Sequence, residues 1–137
     1  MRAYFDTSAL LKLFLNEPGG ITVRRAWQAA QAIGGASILY AEACAALAAA
    51  HRANRIANYQ QANRNLVKLW SNIEVVIPDL SLCITAGRIA AQESLRGYDA
   101  VRLAAALRFH ADILVCGDGD LLQTAQNHHL SVVDGRF

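Results

Sequence analysis

The 137-residue chain has little cysteine, little proline and almost no lysine, and charged residues make up only 18% of it. Its three cysteines (Cys44, Cys83, Cys116) are odd in number, widely spaced and without a CxxC pair. That argues against a disulfide framework and against a zinc site, and points to a reducing cytoplasmic setting. Prolines occur only at Pro18 and Pro78, each where a helix could begin, and no linker, repeat or low-complexity tract divides the chain. No apolar run is long and strong enough to span a bilayer. Arg2, Asp6 and Lys12 interrupt the apolar N-terminus, so it does not read as a signal peptide. Two phosphate-loop patterns are also missing. There is no GxxxxGK[ST], and in the "GDG" at Gly117–Gly119 the third glycine of GxGxxG is replaced by Leu122. No Ser-His-Asp order or reactive-cysteine context is present. The four histidines (His51, His110, His128, His129) read as peripheral, with His128 and His129 as dipole partners near a helix C-terminus.

What is present is a hydrophobic content of 54% in a chain of ordinary single-domain length, which predicts one folded domain over residues 1–137. Strand-like and helix-like stretches alternate. "RAYF" reads as a strand and "DTSALLKLFLN" as a helix, followed by a second helix in "GGITVRRAWQAAQAI". A brief strand is expected around Ala36–Ile38, before an apolar helix. "NRIANYQQANRNLVKLW" is an amphipathic helix and "IEVVI" a strand. "LSLCITAGRIAAQESL" and "YDAVRLAAALRFH" are two helices, "DILVC" a strand, "LLQTAQNHH" a helix and "LSVVD" a last strand. The better strands are apolar throughout, the pattern of a parallel sheet covered on both faces. The expected architecture is a three-layer α/β/α fold with a parallel sheet of about five strands. In such a sheet a ligand site lies beyond the carboxyl ends of the strands, at the topological switch point.

That rule singles out particular acids among the eleven present. Asp6 ends the first strand, Asp118 and Asp120 follow "DILVC", and Asp99 opens an apolar helix. Taken singly each could be a helix N-cap. Glu42 has no such explanation: it is the only charge in "SILYAEACAALAAA", whose composition suits a helix packed on nearly every side. A carboxylate removed from water without a cation costs several kcal/mol. If the first and fourth strands are neighbours, Asp6 and Asp118 face one crevice, with Glu42 and Asp99 entering from flanking helices. Such a cluster repels itself unless a cation is present. Hard oxygen donors without His or Cys suit Mg²⁺ or Mn²⁺. One or two such ions polarise a phosphoryl oxygen and acidify a water, which suits phosphodiester hydrolysis. Net charge is only +2, yet eleven of the thirteen basic residues are Arg, the better bidentate phosphate ligand.

The order "YFDTSALLKLF", "SILYAEACAAL", "LRGYDAVRLAAAL" and "ADILVCGDGDLLQTAQNHHLSVVD" resembles the PIN-domain ribonucleases, and among them the VapC-type toxins of toxin–antitoxin pairs. The resemblance covers essentially the whole chain. It implies a PIN-like fold in which Asp6, Glu42, Asp99 and Asp118 hold Mg²⁺ or Mn²⁺ for RNA hydrolysis. Asp120 would be an auxiliary acid, and Thr7 or Ser8 would help orient water or ligands. It further implies an antitoxin partner lying over the helices near the cleft, with Trp27, Trp70 and the segments around 7–32 and 55–71 as contact surfaces, and a homodimer. Arg96 and Arg102 could reach RNA phosphates, although Arg102, three residues after Asp99, could equally form an intrahelical ion pair. One departure is Cys116, where the family usually carries Ser or Thr. Cysteine is a weak hydrogen-bond partner, so weaker support for Asp118 is expected. Two other readings remain. A haloacid-dehalogenase-type phosphatase wants DxDx[TV], but position 8 is Ser. A non-catalytic PIN module would bind RNA or protein without cutting.

Overall fold

The computed structural model describes residues 1–137. Five strands alternate with seven helices. They are β1 (Arg2–Phe5), α1 (Thr7–Leu10), α2 (Gly20–Ala29), β2 (Ala32–Ala36), α3 (Ile38–Arg52), α4 (Tyr59–Trp70), β3 (Ile73–Val76), α5 (Leu80–Glu93), α6 (Gly97–Arg108), β4 (Ile113–Cys116), α7 (Gly119–Asn127) and β5 (Ser131–Asp134). All neighbouring strands are parallel, in the order β3-β2-β1-β4-β5. The order reverses between β1 and β4, so the crevice beyond their carboxyl ends is the switch point.

Side chains alternate along each strand and feed two separate cores. Tyr4, Val76, Leu114 and Cys116 join α5, α6 and α7 on one face. Ala3, Phe5, Ile33, Ile73 and Val115 join α1 to α4 on the other. Because both faces of the central strands are buried, β1 and β4 are apolar almost throughout, whereas the edge strands β3 and β5 carry Glu74, Ser131 and Asp134. The three-layer α/β/α arrangement is therefore as expected, including the pairing of β1 with β4. Gly34 in β2 has a packing reason. A Cβ there would meet the ring of Phe109 at 2.7 Å, so only glycine lets the end of α6 lie this close to the sheet.

Three local expectations are corrected. The second strand is Ala32–Ala36, several residues earlier than Ala36–Ile38, and α2 stops at Ala29. Its sequence "AIGGA" has two glycines, which carry no hydrophobic signal. The helix expected over "DTSALLKLFLN" is one α-turn, Thr7–Leu10, followed by a 3₁₀ turn at Leu11–Leu13. Finally, α3 is not packed all round. Leu39, Ala43, Leu47 and Ala50 form its buried stripe, whereas Ala41, Ala45 and Ala49 face solvent and Glu42 lies at the stripe's edge. Alanine fits either environment, which is why composition alone could not separate the faces.

Candidate active site

The carboxyl end of β1 delivers Asp6 into the crevice. Its backbone N–H donates to Val115 O at 3.0 Å, which extends the β1–β4 ladder one residue past the strand and fixes the carboxylate beside β4. Only 5% of Asp6 is exposed. Asp6 stands at the N-cap position of α1 but its side chain caps nothing. Its Oδ2 instead accepts from Ser8 Oγ at 3.1 Å and from the Cys116 thiol at 3.6 Å. Glu42 enters from α3 and its Oε1 accepts from Thr7 Oγ1 at 2.7 Å. Thr7 and Ser8, expected as auxiliary groups, thus each brace a different carboxylate.

Asp99 is the third residue of α6, inside its first turn, and Arg96 stands at the N-cap. One turn on, Arg102 extends into the middle of the cluster. Its Nε lies 3.2 Å from Asp6 Oδ1, one terminal nitrogen 3.3 Å from Glu42 Oε2, and the other 3.2 Å from Asp99 Oδ1. The intrahelical pair with Asp99 is therefore real, and it is one part of a three-carboxylate grip. What neutralises Glu42 in this structure is Arg102. Burial alone would lower the guanidinium's pKa, but Asp6, Glu42 and Asp99 outweigh that and hold it above its ordinary value. Its central carbon also lies 4.7 Å from the ring centroid of the half-exposed Tyr98, a cation–π contact that the sequence reading did not include.

Asp118 behaves differently. Its Oδ1 accepts from the backbone N–H groups of Asp120 and Leu121 at 3.0 and 3.3 Å, a true N-cap for α7. Its Oδ2 has no partner within the chain. Asp118 is therefore not one of the three acids gathered on Arg102, though it stands at the same strand ends. Cys116 links the two parts. It is buried, its sulfur accepts from the Asp118 N–H at 3.2 Å, and its thiol donates toward Asp6. Burial, then the negative charge of Asp6, pushes this thiol's pKa up to about 12, so it remains a neutral donor. Ser8 Oγ completes the lattice by accepting from the Gly117 N–H at 2.9 Å. Asp120 is exposed at the mouth.

The cleft opens into a polar pocket of about 380 Å³ lined by Glu93, Arg96, Asp99, Asp120, Gln123 and Asn127 among others. Arg96 is thus placed at the cleft's edge with a free guanidinium. A second edge arginine was not foreseen. Arg136, two residues past β5, lies over Gly119, where an added Cβ would meet its Nη1 at 2.8 Å. The signal that could have found it is the rule that picked Asp6 and Asp118: it follows a strand's carboxyl end. The histidines stay outside the cleft. His128 caps the end of α7 and pairs its Nε2 with Glu93 Oε1 at 3.1 Å.

The donor set around Arg102 is three carboxylates with no nitrogen or sulfur ligand, the hard-oxygen chemistry that suits Mg²⁺ or Mn²⁺. The position they surround is already one for a cation. No group of three or more acidic, His or Cys ligands is arranged for a metal with Arg102 in this position. The residues fit a divalent ion in kind, and in this structure the guanidinium occupies the position they surround.

Comparison with known proteins identifies the family and the fold. The family model described as "PIN domain" matches residues 3–127. The chain is 35% identical over 106 residues to "Ribonuclease VapC45" of Mycobacterium tuberculosis, covering 76% of this chain and 74% of that protein. Among solved structures, the VapBC-1 structure from nontypeable Haemophilus influenzae superposes with a TM-score of 0.68 at 22% identity, over 100% of both chains. A toxin–antitoxin complex from Klebsiella pneumoniae gives 0.67 at 18% identity, over 97% of both.

Proposed function

Because this chain belongs to the PIN-domain family, we propose that it is the endoribonuclease toxin of a toxin–antitoxin system, dependent on Mg²⁺ or Mn²⁺ for phosphodiester hydrolysis in RNA. The observation that carries the reading is the convergence of Asp6, Glu42 and Asp99 on one cationic position at the β1/β4 switch point. The ribonuclease relative at 35% identity supports the reaction class.

In the mechanism, Asp6, Glu42 and Asp99 would hold the ion, with the free Oδ2 of Asp118 available to it from the β4 side. When bound, the ion supplies charge for the scissile phosphate and lowers the pKa of a water. The chain's own residues do the remaining work. Thr7 fixes the rotamer of Glu42, and Ser8 and the Cys116 thiol fix that of Asp6. The Cys116 sulfur holds the Asp118 N–H at 3.2 Å, a softer contact than a hydroxyl oxygen would give. Arg96, and Arg136 on exchanging its ion pair with Asp134, would bind RNA phosphates beside the carboxylates, offsetting the repulsion between an acidic cleft and a polyanion. The polar pocket beside Asp99 is roomy enough for an unstacked base, as single-stranded or loop RNA would present.

Two partner surfaces follow from exposed apolar area. A groove of about 520 Å³ between the Leu11–Leu13 turn and α4, lined by Leu13, Phe14, Ile56, Ala62 and Leu69, is where we place the antitoxin. The toxin–antitoxin complex among the structural neighbours supports a partner of that kind. Trp27 and Trp70 are less available, since they pack edge-on against Phe5 and Tyr40. Ile77, Leu80 and Ile84, at 67%, 77% and 51% exposure, form a second apolar surface, which we assign to homodimerisation. No helix is long and apolar enough to cross a membrane, and the cytoplasm is the compartment proposed.

The non-catalytic alternative has one observation in its favour, the guanidinium standing in the metal position. Incubating purified protein with folded total RNA in Mg²⁺, Mn²⁺ or EDTA separates the two. Discrete, metal-dependent fragments that vanish with Asp6→Asn are expected. Intact RNA in every lane, with metal binding demonstrated separately, favours the binding module.

A further inference from the structure

Each of the three guanidinium nitrogens of Arg102 faces a different carboxylate, at 3.2, 3.3 and 3.2 Å. These oxygens are the ones a divalent ion would need. We propose that Arg102 is a built-in plug of the metal site: its guanidinium neutralises the acidic pocket of the metal-free protein and has to leave before a divalent ion binds. The ion's affinity is therefore set by competition with the chain's own arginine. This rests on the metal-site reading above and goes beyond it.

Three features support a plug that can be exchanged. First, two of the three walls are braced independently of it. Glu42 is held by Thr7, and Asp6 by Ser8 and Cys116, so both carboxylates keep their orientation when the arginine departs. Second, the charge is unbalanced. Three carboxylates face one guanidinium, leaving the pocket two negative charges in excess, and a divalent ion neutralises more of it than a monovalent one. Third, the arginine has a way out. Its side chain is 22% exposed and already lies against the ring of Tyr98, itself 46% exposed at the mouth. A planar fork that bridges three acids is a property of arginine; a lysine ammonium is a point charge and cannot span them.

The test is isothermal titration calorimetry of Mn²⁺ into the EDTA-stripped full chain, its Arg102→Gln variant and its Arg102→Lys variant, each checked for folding by circular dichroism. Arg102→Gln is expected to bind Mn²⁺ at least about tenfold more tightly than the parent, and Arg102→Lys to fall between. If Arg102→Gln does not fold without metal, Arg102→Lys carries the test, because it retains the charge. Equal or weaker Mn²⁺ affinity in the folded variants overturns the plug while leaving the metal site standing. Absence of Mn²⁺ binding in all three proteins overturns the metal-site reading itself, and the plug with it.

Discussion

Replacing Asp99 by asparagine separates the chemistry of the cleft from its stability. Asp99 is one of three carboxylates on Arg102, so removing its charge loses one attraction and two repulsions. A pair of unit charges 4 Å apart is worth about 4 kcal/mol at an effective dielectric of about 20. Carboxylates that share a guanidinium lie farther from one another than from it, so each repulsion is smaller than the attraction. Two smaller repulsions against one larger attraction nearly cancel. Asp99 also sits in the first turn of α6, where a carboxylate gains about 0.3–1 kcal/mol from the helix dipole. The expected net loss in EDTA is therefore no more than about 1 kcal/mol. Urea unfolding at pH 7 reads it as a shifted midpoint with an unchanged slope. RNA cleavage by the same preparation should fall at least about 100-fold, since groups that merely orient metal ligands already cost 10–100-fold. A loss of stability above about 2 kcal/mol, more than removal of a helix cap costs, would mean that Asp99 serves the fold rather than the chemistry. Full cleavage by a folded Asp99→Asn protein would remove the residue from the active group.

Asp118 should show the opposite coupling. Asp118→Ala forfeits the α7 cap and about 1 kcal/mol of stability, whereas Asp118→Ser keeps a capping oxygen and most of that stability. Both should fail to cleave RNA; thermal unfolding that places the two variants level would refute the cap. A thiol reagent at pH 8 should modify exposed Cys83 first and leave Cys116 untouched until urea is added. Burial and Asp6 hold the Cys116 thiol up at about 12 and so deny it the reactive thiolate, and rapid labelling of Cys116 in folded protein would contradict this. Glu17 is held below its ordinary pKa, chiefly by Arg55 and then by Lys12. A depressed carboxylate stabilises the fold above its unfolded value of about 4.3, and that contribution is lost as pH falls through the folded value. Glu17→Gln should thus cost up to about 1 kcal/mol at neutral pH, with the difference closing toward pH 3; a gap that persists in acid would point to packing instead.

The sheet was legible because its physics is written locally. Val, Ile and Leu without polar alternation announce "DILVC" as a strand buried on both faces, β-branched residues announce the edge strand "IEVVI" although Glu74 and Val75 in it are exposed, and the alternation with helices then dictates parallel pairing. The second strand was misplaced for the same reason that it functions. Gly34 and Gly35 leave no side-chain pattern to read, yet the bare backbone at Gly34 is what admits Phe109. Whether an alanine faces in or out was also illegible, so α3 looked fully buried when one face of it is open to solvent.

The site was legible to the extent that position along a strand determines position in space. Asp6 and Asp118 could be selected from the strand-end rule alone, and Glu42 from the cost of a charge in an alanine-rich helix. What the sequence could not supply was the identity of the cation. Arg102 is sixty residues from Glu42 in the chain, and only its i,i+3 relation to Asp99 is local. A solitary carboxylate in such a helix therefore poses a question with two physical answers, a metal ion or an arginine from another element, and charge accounting favours neither. The fold supplies the arginine, at the place where the ion is proposed to bind. Thr7, Ser8 and Cys116 brace two of the carboxylates and Arg102 neutralises all three, so the acidic pocket is assembled around a cation of the chain's own. A cleft built this way escapes much of the self-repulsion that a cluster of bare acids would suffer.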